Sequence, residues 1–400
     1  MKPRGVKITG IGPVTPAGIG RDAFWRGITE STSRVRVVSH FLEEAGTFIG
    51  AEVEEFALSD YAPLSNAKRV PRHTQFAIAA SHLALKDAGI GLSELQAMRA
   101  AVLVGAALMD FGTINKSVEI ILRKGPINGL PTSVSTASVS SIGGAISDSL
   151  HQSTLTMAFQ SACCSGLDAV GHAAQLIRTG AADIAICGGT EAPIFFHPML
   201  ELRMAGLAPG NPERPETQCR PFDLWRTTGA IGEGACMLVL EPEDSPRAGY
   251  AFVRGYAYAT DTGGALCSGL AHAIVSALAN AGLKANRVGA ISAWGPGHRE
   301  IDAAETASLR EVFRDELEGI PVSSIKGAIG NPLGAAGAIQ IAGAALGMRE
   351  SLVLPTVNWE YPDPSCRLSL DSRTRHVAHD CVLVNSHGVS GTNACLILSR

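Results

Sequence analysis

The stretch QSACCSGLDAVG, residues 160–171, decides the fold of this chain. It joins LTMAFQSA (155–162), an apolar run typical of a buried strand, to SGLDAVGHAAQLIRT (165–179), whose apolar spacing predicts a helix. A strand that runs directly into a helix places Cys163 at the helix N-terminus, where the helix dipole favours a thiolate and free backbone N–H groups can hold an oxyanion. Cys163 is therefore a candidate acyl-accepting nucleophile, and a buried core cysteine is the alternative.

The rest of the chain alternates short apolar runs with amphipathic stretches, which predicts a layered α/β fold. We expect further strands at 6–12, 100–108, 182–189, 235–241, 250–259, 287–295, 381–386 and 394–399, and further helices at 74–89, 267–282 and 303–312. A charged turn near Pro242 predicts a boundary between an N-terminal half, 1–242, and a C-terminal half, 243–400. The Pro- and Arg-rich stretch 192–229 is expected to be a loop region.

Composition narrows the class of protein. Of the 400 residues, 46% are apolar and 18% are charged, and the net charge is −4, which indicates a large core and excludes the basic surface of a nucleic-acid-binding protein. The uncharged stretch 327–348 is rich in Ala and Gly and contains Asn331, Pro332 and Gln340, so we expect a buried helix and no membrane span. The nine cysteines lack metal-binding spacing and the N-terminus does not resemble a signal peptide, so we expect no metal site and a cytoplasmic location.

Several motifs in order along the chain resemble those of the elongating β-ketoacyl-ACP synthases. SACCSG (161–166) resembles the T/S-A-C-x-S-G elbow of that family, and RPFDLWRTTGAIGEGA (220–235) is similar to its R-P-F-D run. GIGPVTPAG (10–18), CGGTEA (187–192), LGAAGA (333–338) and NSHGVSGTNA (385–394) resemble four more of its segments. The resemblance covers nearly the whole chain and implies a thiolase-like, layered α/β/α/β/α fold of two similar halves, with Cys163 as the nucleophile.

The same resemblance implies two catalytic histidines that this chain lacks. In the family they polarise the malonyl thioester and assist the loss of CO2. The segment similar to A-H-G-T has Trp294 at the histidine position, and the segment similar to K-S-x-x-G-H has Asn331. Trp can donate one N–H but cannot accept a proton, whereas Asn can still donate a hydrogen bond to a thioester oxygen. We therefore expect decarboxylative condensation to be impaired, while acyl transfer onto Cys163 could persist.

Other parts of the family's site are present by resemblance. Lys326 matches a buried lysine, and Asp302 and Glu305 match a D-x-x-E pair of carboxylates. The spacing of Asp302 and Glu305 places them on one helix face, so we expect a structural ion pair with Lys326.

The late loop resembles the family's G-F-G-G segment with two changes. His387 and Val389 occupy its two phenylalanine positions, and the smaller Val389 predicts a more open or rerouted acyl pocket. The amides of Cys163 and Val389 match the family's oxyanion hole, and Cys164 is expected to be a packing residue. His387 and His298 are the two candidates to replace a missing histidine.

The resemblance also implies an acyl carrier protein as partner. Lys68, Arg69 and Arg72 lie in KRVPRHTQF (68–76), a candidate entrance segment whose positive charge would suit an acidic carrier protein; a solvated surface is the alternative. The substrate would be a phosphopantetheine thioester from that carrier or from CoA, with no separate cofactor.

Three functions stay open at this point. The first is a chain-length-factor-like partner of an active ketosynthase, which fits the lost histidines but not the retained cysteine. The second is a Cys163-dependent acyltransferase or thioester hydrolase. The third is a condensing enzyme with an altered relay. The first implies a heterodimer, and the second a homodimer.

Overall fold

The computed structural model describes residues 4–38, 41, 46–63, 69–210 and 213–400. Apolar, often β-branched runs form its strands, because such side chains pack well on a pleated surface. The strands are β1 (Val6–Thr15), β2 (Gly18–Ile19), β3 (Arg36–Val37), β4 (Ile49–Ala51), β5 (Ala100–Gly105), β6 (Leu155–Phe159), β7 (Ile184–Glu191), β8 (Ile231–Gly232), β9 (Gly234–Pro242), β10 (Ala251–Thr260), β11 (Ala290–Ser292), β12 (Val322–Ser323), β13 (Leu352–Val353), β14 (Arg375–His376), β15 (Cys381–His387) and β16 (Thr392–Ser399).

Helices alternate with these strands along the chain. They are α1 (Arg21–Thr29), α2 (Arg72–Ala88), α3 (Leu92–Gln96), α4 (Phe111–Lys124), α5 (Ser133–Thr136), α6 (Ser140–Ser149), α7 (Ser165–Thr179), α8 (Phe196–Met204), α9 (Leu270–Ala281), α10 (Arg299–Phe313), α11 (Lys326–Ile329) and α12 (Ala336–Glu350). The observed α7 has the bounds that the sequence predicts, and it ends at Gly180, whose φ of 70° provides the left-handed C-cap.

The central sheet consists of two halves with the same strand order. The order is β1-β9-β7-β5-β6 in the N-terminal half and β10-β16-β15-β11-β12 in the C-terminal half. In each half the two inner pairings are antiparallel and the two outer pairings are parallel. The halves meet where β1 pairs with β10, with Lys7 opposite Phe252. The predicted layered fold of two similar halves is confirmed, and the duplication that the sequence hides is evident in the topology.

Helices α7 and α12 pack against each other in the middle of the molecule. Every residue of α12 from Ala336 to Met348 is buried, which explains its lack of charge. The single helix expected over 327–348 is wrong, however, because the chain breaks between α11 and α12. Gly330 has a φ of 67°, and Pro332 disfavours a helical conformation of Asn331 before it. The break leaves Asn331 in a turn ahead of α12, as Cys163 lies in the turn ahead of α7.

Two other regions depart from the sequence predictions. The strand expected over 287–295 is confined to Ala290–Ser292, because the backbone then turns to donate hydrogen bonds to Glu305. The expected loop region 192–229 contains helix α8. Within the described ranges, no helix is long and apolar enough to cross a membrane.

Candidate active site

The turn that carries Cys163 has a constrained backbone. A single 3-10 turn, Ala162–Cys164, connects the end of β6 to α7, and Ala162 has a φ of 51°, which is uncommon for a residue with a side chain. Several hydrogen bonds hold this turn; among them, Ser161 N–H donates to Ser165 Oγ (3.0 Å), and Ser386 Oγ donates to the Cys163 carbonyl (3.0 Å). The turn therefore fixes Cys163 against strand β15.

The Cys163 thiol is buried, with 4% of the residue exposed. Burial, together with the negative charge of Glu191, raises its pKa to about 12. Lys326 and the backbone N–H groups of Val389 and of Cys163 itself oppose that rise in pKa. The expectation that the helix dipole would favour a thiolate is wrong for this resting state, because desolvation outweighs the favourable charges.

Glu191 at the end of β7 is a site residue that the sequence reasoning did not single out. Its carboxylate accepts hydrogen bonds from the N–H groups of Ala107 (2.7 Å), Leu108 (3.3 Å) and Gly334 (3.1 Å). Burial raises its pKa to about 8. The signal was available in CGGTEA (187–192), where one acid ends an otherwise uncharged strand. Glu191 fastens three backbone segments together beside Cys163 and disfavours its thiolate.

Trp294 fills the first histidine position with an apolar ring. Its side chain is buried, lines the same cavity as Cys163, and has Lys326 Nζ 3.9 Å from its ring centre. Its backbone N–H donates to Glu305 Oε1 (2.7 Å). An indole in this place can neither accept a proton nor leave the space that an imidazole would leave.

Asn331 fills the second position and keeps a donor. Its Oδ1 accepts the N–H of Leu333 (3.2 Å), and its backbone N–H donates to the Ala230 carbonyl (2.7 Å). Because Oδ1 is engaged, the Nδ2 group is what Asn331 can present to the cavity that it shares with Cys163.

The expected ion pair of Lys326 with Asp302 and Glu305 is wrong. No carboxylate oxygen of either residue lies within the 4 Å of a direct ion pair; Lys326 Nζ donates instead to Gln340 Oε1 (3.1 Å). Burial lowers the pKa of Lys326, and the charge of Glu305 opposes that shift. The ring of Trp294 also contacts the ammonium group. The lysine is therefore held by an amide and a ring face, with the carboxylates acting at longer range.

The two carboxylates instead anchor the loop that carries Trp294. Asp302 accepts the N–H groups of Phe222 (2.7 Å) and Gly297 (3.2 Å), and Arg226 Nε lies 3.6 Å from it. Burial raises the pKa of Asp302 to about 7.

Glu305 completes this anchor. It accepts the backbone N–H groups of Trp294 and Gly295 (2.7 and 2.8 Å) and the Nδ2 group of Asn385 (2.7 Å). Burial raises its pKa as well. Both carboxylates are thus occupied by backbone N–H groups on either side of the Trp294 turn.

His298 caps helix α10 and can only donate a hydrogen bond into the cavity. Its Nδ1 accepts the N–H groups of Glu300 (3.3 Å) and Ile301 (3.4 Å) at the start of α10. Burial lowers the pKa of His298, so the neutral ring carries its proton on Nε2. A ring with this tautomer has no free lone pair and does not replace a general base.

The cavity beside Cys163 is narrow. Its volume is about 20 Å³, room for about one water molecule. It is lined by Cys163, Leu207, Thr228, Ala230, Trp294, Pro296, His298, Ile301, Asn331, Leu333, His387 and Val389. The more open pocket expected from Val389 is not present, because the Val389 side chain is 59% exposed while Trp294 occupies the interior. Cys164 is buried under the elbow, with Sγ 3.4 Å from the Thr392 carbonyl, as a packing residue would be.

The three entrance residues are not equivalent. Lys68 lies outside the described residues, and Arg69 is exposed. Arg72 is half-buried: it forms an ion pair with Glu233 (2.6 Å), donates to the Val53 carbonyl (2.9 Å) and covers the ring of Phe76. A role for Arg72 in carrier binding is therefore wrong, because its charge is already neutralised.

Two similar halves, a cysteine elbow and two amides at its sulfur define a protein of the thiolase-like ketosynthase fold. The family models "Beta-ketoacyl synthase, N-terminal domain" and "Beta-ketoacyl synthase, C-terminal domain" match residues 4–245 and 250–360. The chain belongs to the β-ketoacyl synthase family, as the resemblance predicts.

Its relatives include fatty-acid and polyketide types. The chain is 31% identical to the 3-oxoacyl-(acyl-carrier-protein) synthase 2 of Coxiella burnetii, over 100% of this chain and 99% of the relative. It is 31% identical to the tetracenomycin polyketide synthase ketoacyl synthase alpha subunit of Streptomyces glaucescens, over 99% and 97%. The structure is similar to the ishigamide ketosynthase/chain length factor, with a TM-score of 0.93 and 28% identity over 100% of this chain and 99% of that one. It is also similar to a type II polyketide ketosynthase solved in complex with its acyl-carrier protein, with a TM-score of 0.91 and 27% identity over the whole of both chains.

Proposed function

We propose that this chain is the non-condensing, chain-length-factor-like member of a ketosynthase pair. The observation that carries the proposal is the buried contact of Trp294 with Lys326, because it replaces a proton-transferring side chain by an apolar ring at the malonyl side of the cavity. The similarity of this structure to the ishigamide ketosynthase/chain length factor supports the same assignment.

An exposed apolar surface supports a partner subunit. Strand β6 is the outermost strand of its half-sheet, and Leu155 and Met157 on it are 45% and 41% exposed. Leu122 on α4, and Ile127 and Val134 after it, are 80%, 94% and 86% exposed. Apolar side chains grouped around a free sheet edge are typical of a surface that another chain covers. We assign this surface to an active ketosynthase of the same fold.

The same proposal includes a carrier protein. An acyl carrier protein would deliver the growing chain as a phosphopantetheine thioester, and no separate cofactor would be required. Arg69 is the exposed cation of the proposed entrance among the described residues there. We place the pair in the cytoplasm, where such carrier proteins are loaded with acyl groups.

A second candidate function is acyl transfer or thioester hydrolysis through Cys163. One observation favours it: the N–H groups of Val389 and Cys163 still point to the sulfur, so an oxyanion formed there would be stabilised. A protein with no acyl chemistry has no need of that arrangement.

Co-expression separates the candidates. The chain is purified alone and together with an active ketosynthase, and both samples are measured by size-exclusion chromatography with light scattering and by malonyl condensation assays. We expect a 1:1 complex whose condensation survives Cys163→Ala in this chain. A stable homodimer that condenses malonyl thioesters without a partner would overturn the proposal.

Intact-mass analysis tests the second candidate. The purified chain is incubated with a panel of acyl carrier and acyl-CoA thioesters. An acyl adduct that Cys163→Ala removes, and that the matched Cys381→Ala variant retains, would establish acyl transfer. If no sample forms an adduct, the second candidate is excluded and only the partner role remains.

A further inference from the structure

We propose that His387 is the proton acceptor of Cys163, held in the required tautomer by Asn393 and Asp261. The inference rests on the second candidate function, acyl transfer through Cys163. It does not depend on whether the chain pairs with a ketosynthase.

The strand register brings the parts of this array together. His387 ends β15 and lies directly opposite Asn393 on the antiparallel strand β16, so the two side chains share one face of the sheet. His387 Nδ1 is 2.9 Å from Asn393 Oδ1, and Asn393 Nδ2 donates to Asp261 Oδ1 (2.6 Å). Asp261 is itself fixed by the N–H groups of Cys267 (3.1 Å) and Gly269 (2.9 Å).

These contacts determine the tautomer of His387. A carboxylate can only accept, so the Asn393 amide must turn its Nδ2 group toward Asp261 and its Oδ1 atom toward the imidazole. Oδ1 is also only an acceptor, so Nδ1 of His387 carries the proton. Nε2 is left with a free lone pair, the opposite of the tautomer found at His298.

That lone pair is buried and has no hydrogen-bond partner among the residues that the structure describes. The His387 residue is 1% exposed, and an unpaired buried acceptor is costly, so an arrangement of this kind needs a reason. His387 and Cys163 line the same cavity, which has room for about one water molecule. A base can act directly or through one water, and its hydrogen bond is often long before substrate binds. Ser386, the neighbour of His387, is bonded to the Cys163 carbonyl and keeps the strand against the elbow.

The surrounding charges suit a proton acceptor. Asp261 Oδ2 lies 3.9 Å from His387 Nδ1 and places a carboxylate behind the imidazole ring. On the sulfur side, Glu191 opposes the thiolate and Lys326 favours it, while His298 faces the cavity as a donor. Because burial raises the pKa of Cys163 to about 12, the thiol keeps its proton at neutral pH and needs a base to react.

The step balances as follows. The Sγ–H proton passes to His387 Nε2 as Sγ attacks the thioester carbonyl carbon and forms a new C–S bond. The carbonyl electron pair moves to the oxygen, which the N–H groups of Cys163 and Val389 hold. When the intermediate collapses, the C–S bond to pantetheine breaks, and the pantetheine sulfur takes the proton from His387. The acyl group is then on Cys163 and the histidine is neutral.

The test measures how fast iodoacetamide alkylates Cys163 between pH 6 and 10, by peptide mass mapping of the full-length chain. His387→Phe places an aromatic ring of similar size in the site, His387→Gln keeps a polar group without a base, and the exposed His376→Gln is the control. We expect both His387 variants to be alkylated at least about 10-fold more slowly at pH 7, with the difference narrowing as hydroxide takes over toward pH 10, and the control to match the parent protein.

Unchanged alkylation rates in folded His387→Phe and His387→Gln would overturn the proposal. Asn393→Ala is a second probe, because it frees the tautomer and should slow alkylation at neutral pH less than His387→Gln does; no change there in a folded protein counts against the array. Acyl adducts are followed in parallel by intact mass. If alkylation depends on His387 but no acyl adduct forms, the result would support His387 as the base and contradict the acyl-transfer function. Equal adduct formation in the parent and in His387→Phe would support the acyl-transfer function and overturn the role of His387 as the base.

Discussion

Lys326 Nζ lies 3.9 Å from the centre of the Trp294 ring, and both side chains are buried. A desolvated contact of this kind stabilises the charged form of the lysine by about 2 kcal/mol. It connects the lysine that the family resemblance places in the site with the residue that replaces a histidine. Trp294 is therefore an integrated part of this core, and its replacement changes the state of Lys326 as well as the space beside Cys163.

Placing histidines at both positions should give the chain malonyl decarboxylation activity. We expect Trp294→His combined with Asn331→His to decarboxylate malonyl thioesters at least about 10-fold faster than the parent chain, because general acid–base groups contribute about 100-fold or more. Release of CO2 from labelled malonyl carrier protein measures it. Trp294→Phe with Asn331 unchanged is the control, since it keeps an aromatic face and adds no relay. No gain in the double variant would show that the cavity, at about 20 Å³, has diverged beyond those two positions.

The charges next to Cys163 should shift its reactivity in opposite directions. Glu191 raises the pKa of the thiol and Lys326 lowers it, so Glu191→Gln should speed alkylation and Lys326→Met should slow it. The pKa of Glu191 is about 8, so its charge appears as pH rises through that value. The advantage of Glu191→Gln over the parent should therefore grow from pH 7 to pH 9. A constant ratio across that range would contradict the assignment of the effect to the Glu191 charge.

The fold and the position of Cys163 are predictable from sequence because they depend on local patterns. The apolar run before residue 160 and the amphipathic spacing of 165–179 determine a strand, a turn and a helix, and these alone place Cys163. Trp294 and Asn331 follow from motif positions in the same way. The partner of Arg72 does not, because Glu233 is 161 residues away in sequence and the ion pair exists only in the folded chain.

The state of the cysteine also lies beyond the sequence. A helix N-terminus favours a thiolate, but the burial that outweighs it comes from residues of both halves, including Leu207 and Trp294. The predicted pairing of Lys326 with carboxylates fails for a related reason. The backbone N–H groups of the Trp294 turn donate hydrogen bonds to Glu305 and occupy its carboxylate. Competition among buried polar groups is decided by tertiary geometry.

The elbow should be sensitive to one glycine. A Cβ at Gly388 would lie 2.9 Å from Ala162 Cβ and 2.4 Å from Thr392 Oγ1, so Gly388→Ala must displace the strained turn before Cys163. We expect a loss of about 1–3 kcal/mol in the free energy of unfolding by urea. Gly144→Ala is the matched control, since nothing lies within 4 Å of its Cβ in the exposed face of α6; it should be neutral or slightly stabilising. Equal stability of the two variants would refute the steric argument.

The last prediction concerns the exposed apolar surface. Leu122 is 80% exposed on α4, so Leu122→Glu should leave the fold of the isolated chain unchanged. Its free energy of unfolding should change by no more than about 0.5 kcal/mol. If a ketosynthase covers this surface, burying the new carboxylate against it should weaken the complex by at least about 10-fold in Kd, measured by sedimentation equilibrium or interferometry. Val275→Glu provides the control, because Val275 is also exposed, at 54%, but lies on α9 of the other half. Equal loss of binding in both variants would indicate a general charge effect, and no loss in either would place the partner on a different face. A selective loss in Leu122→Glu would locate the interface beside β6, where the free edge of the sheet and the exposed side chains of the same half coincide.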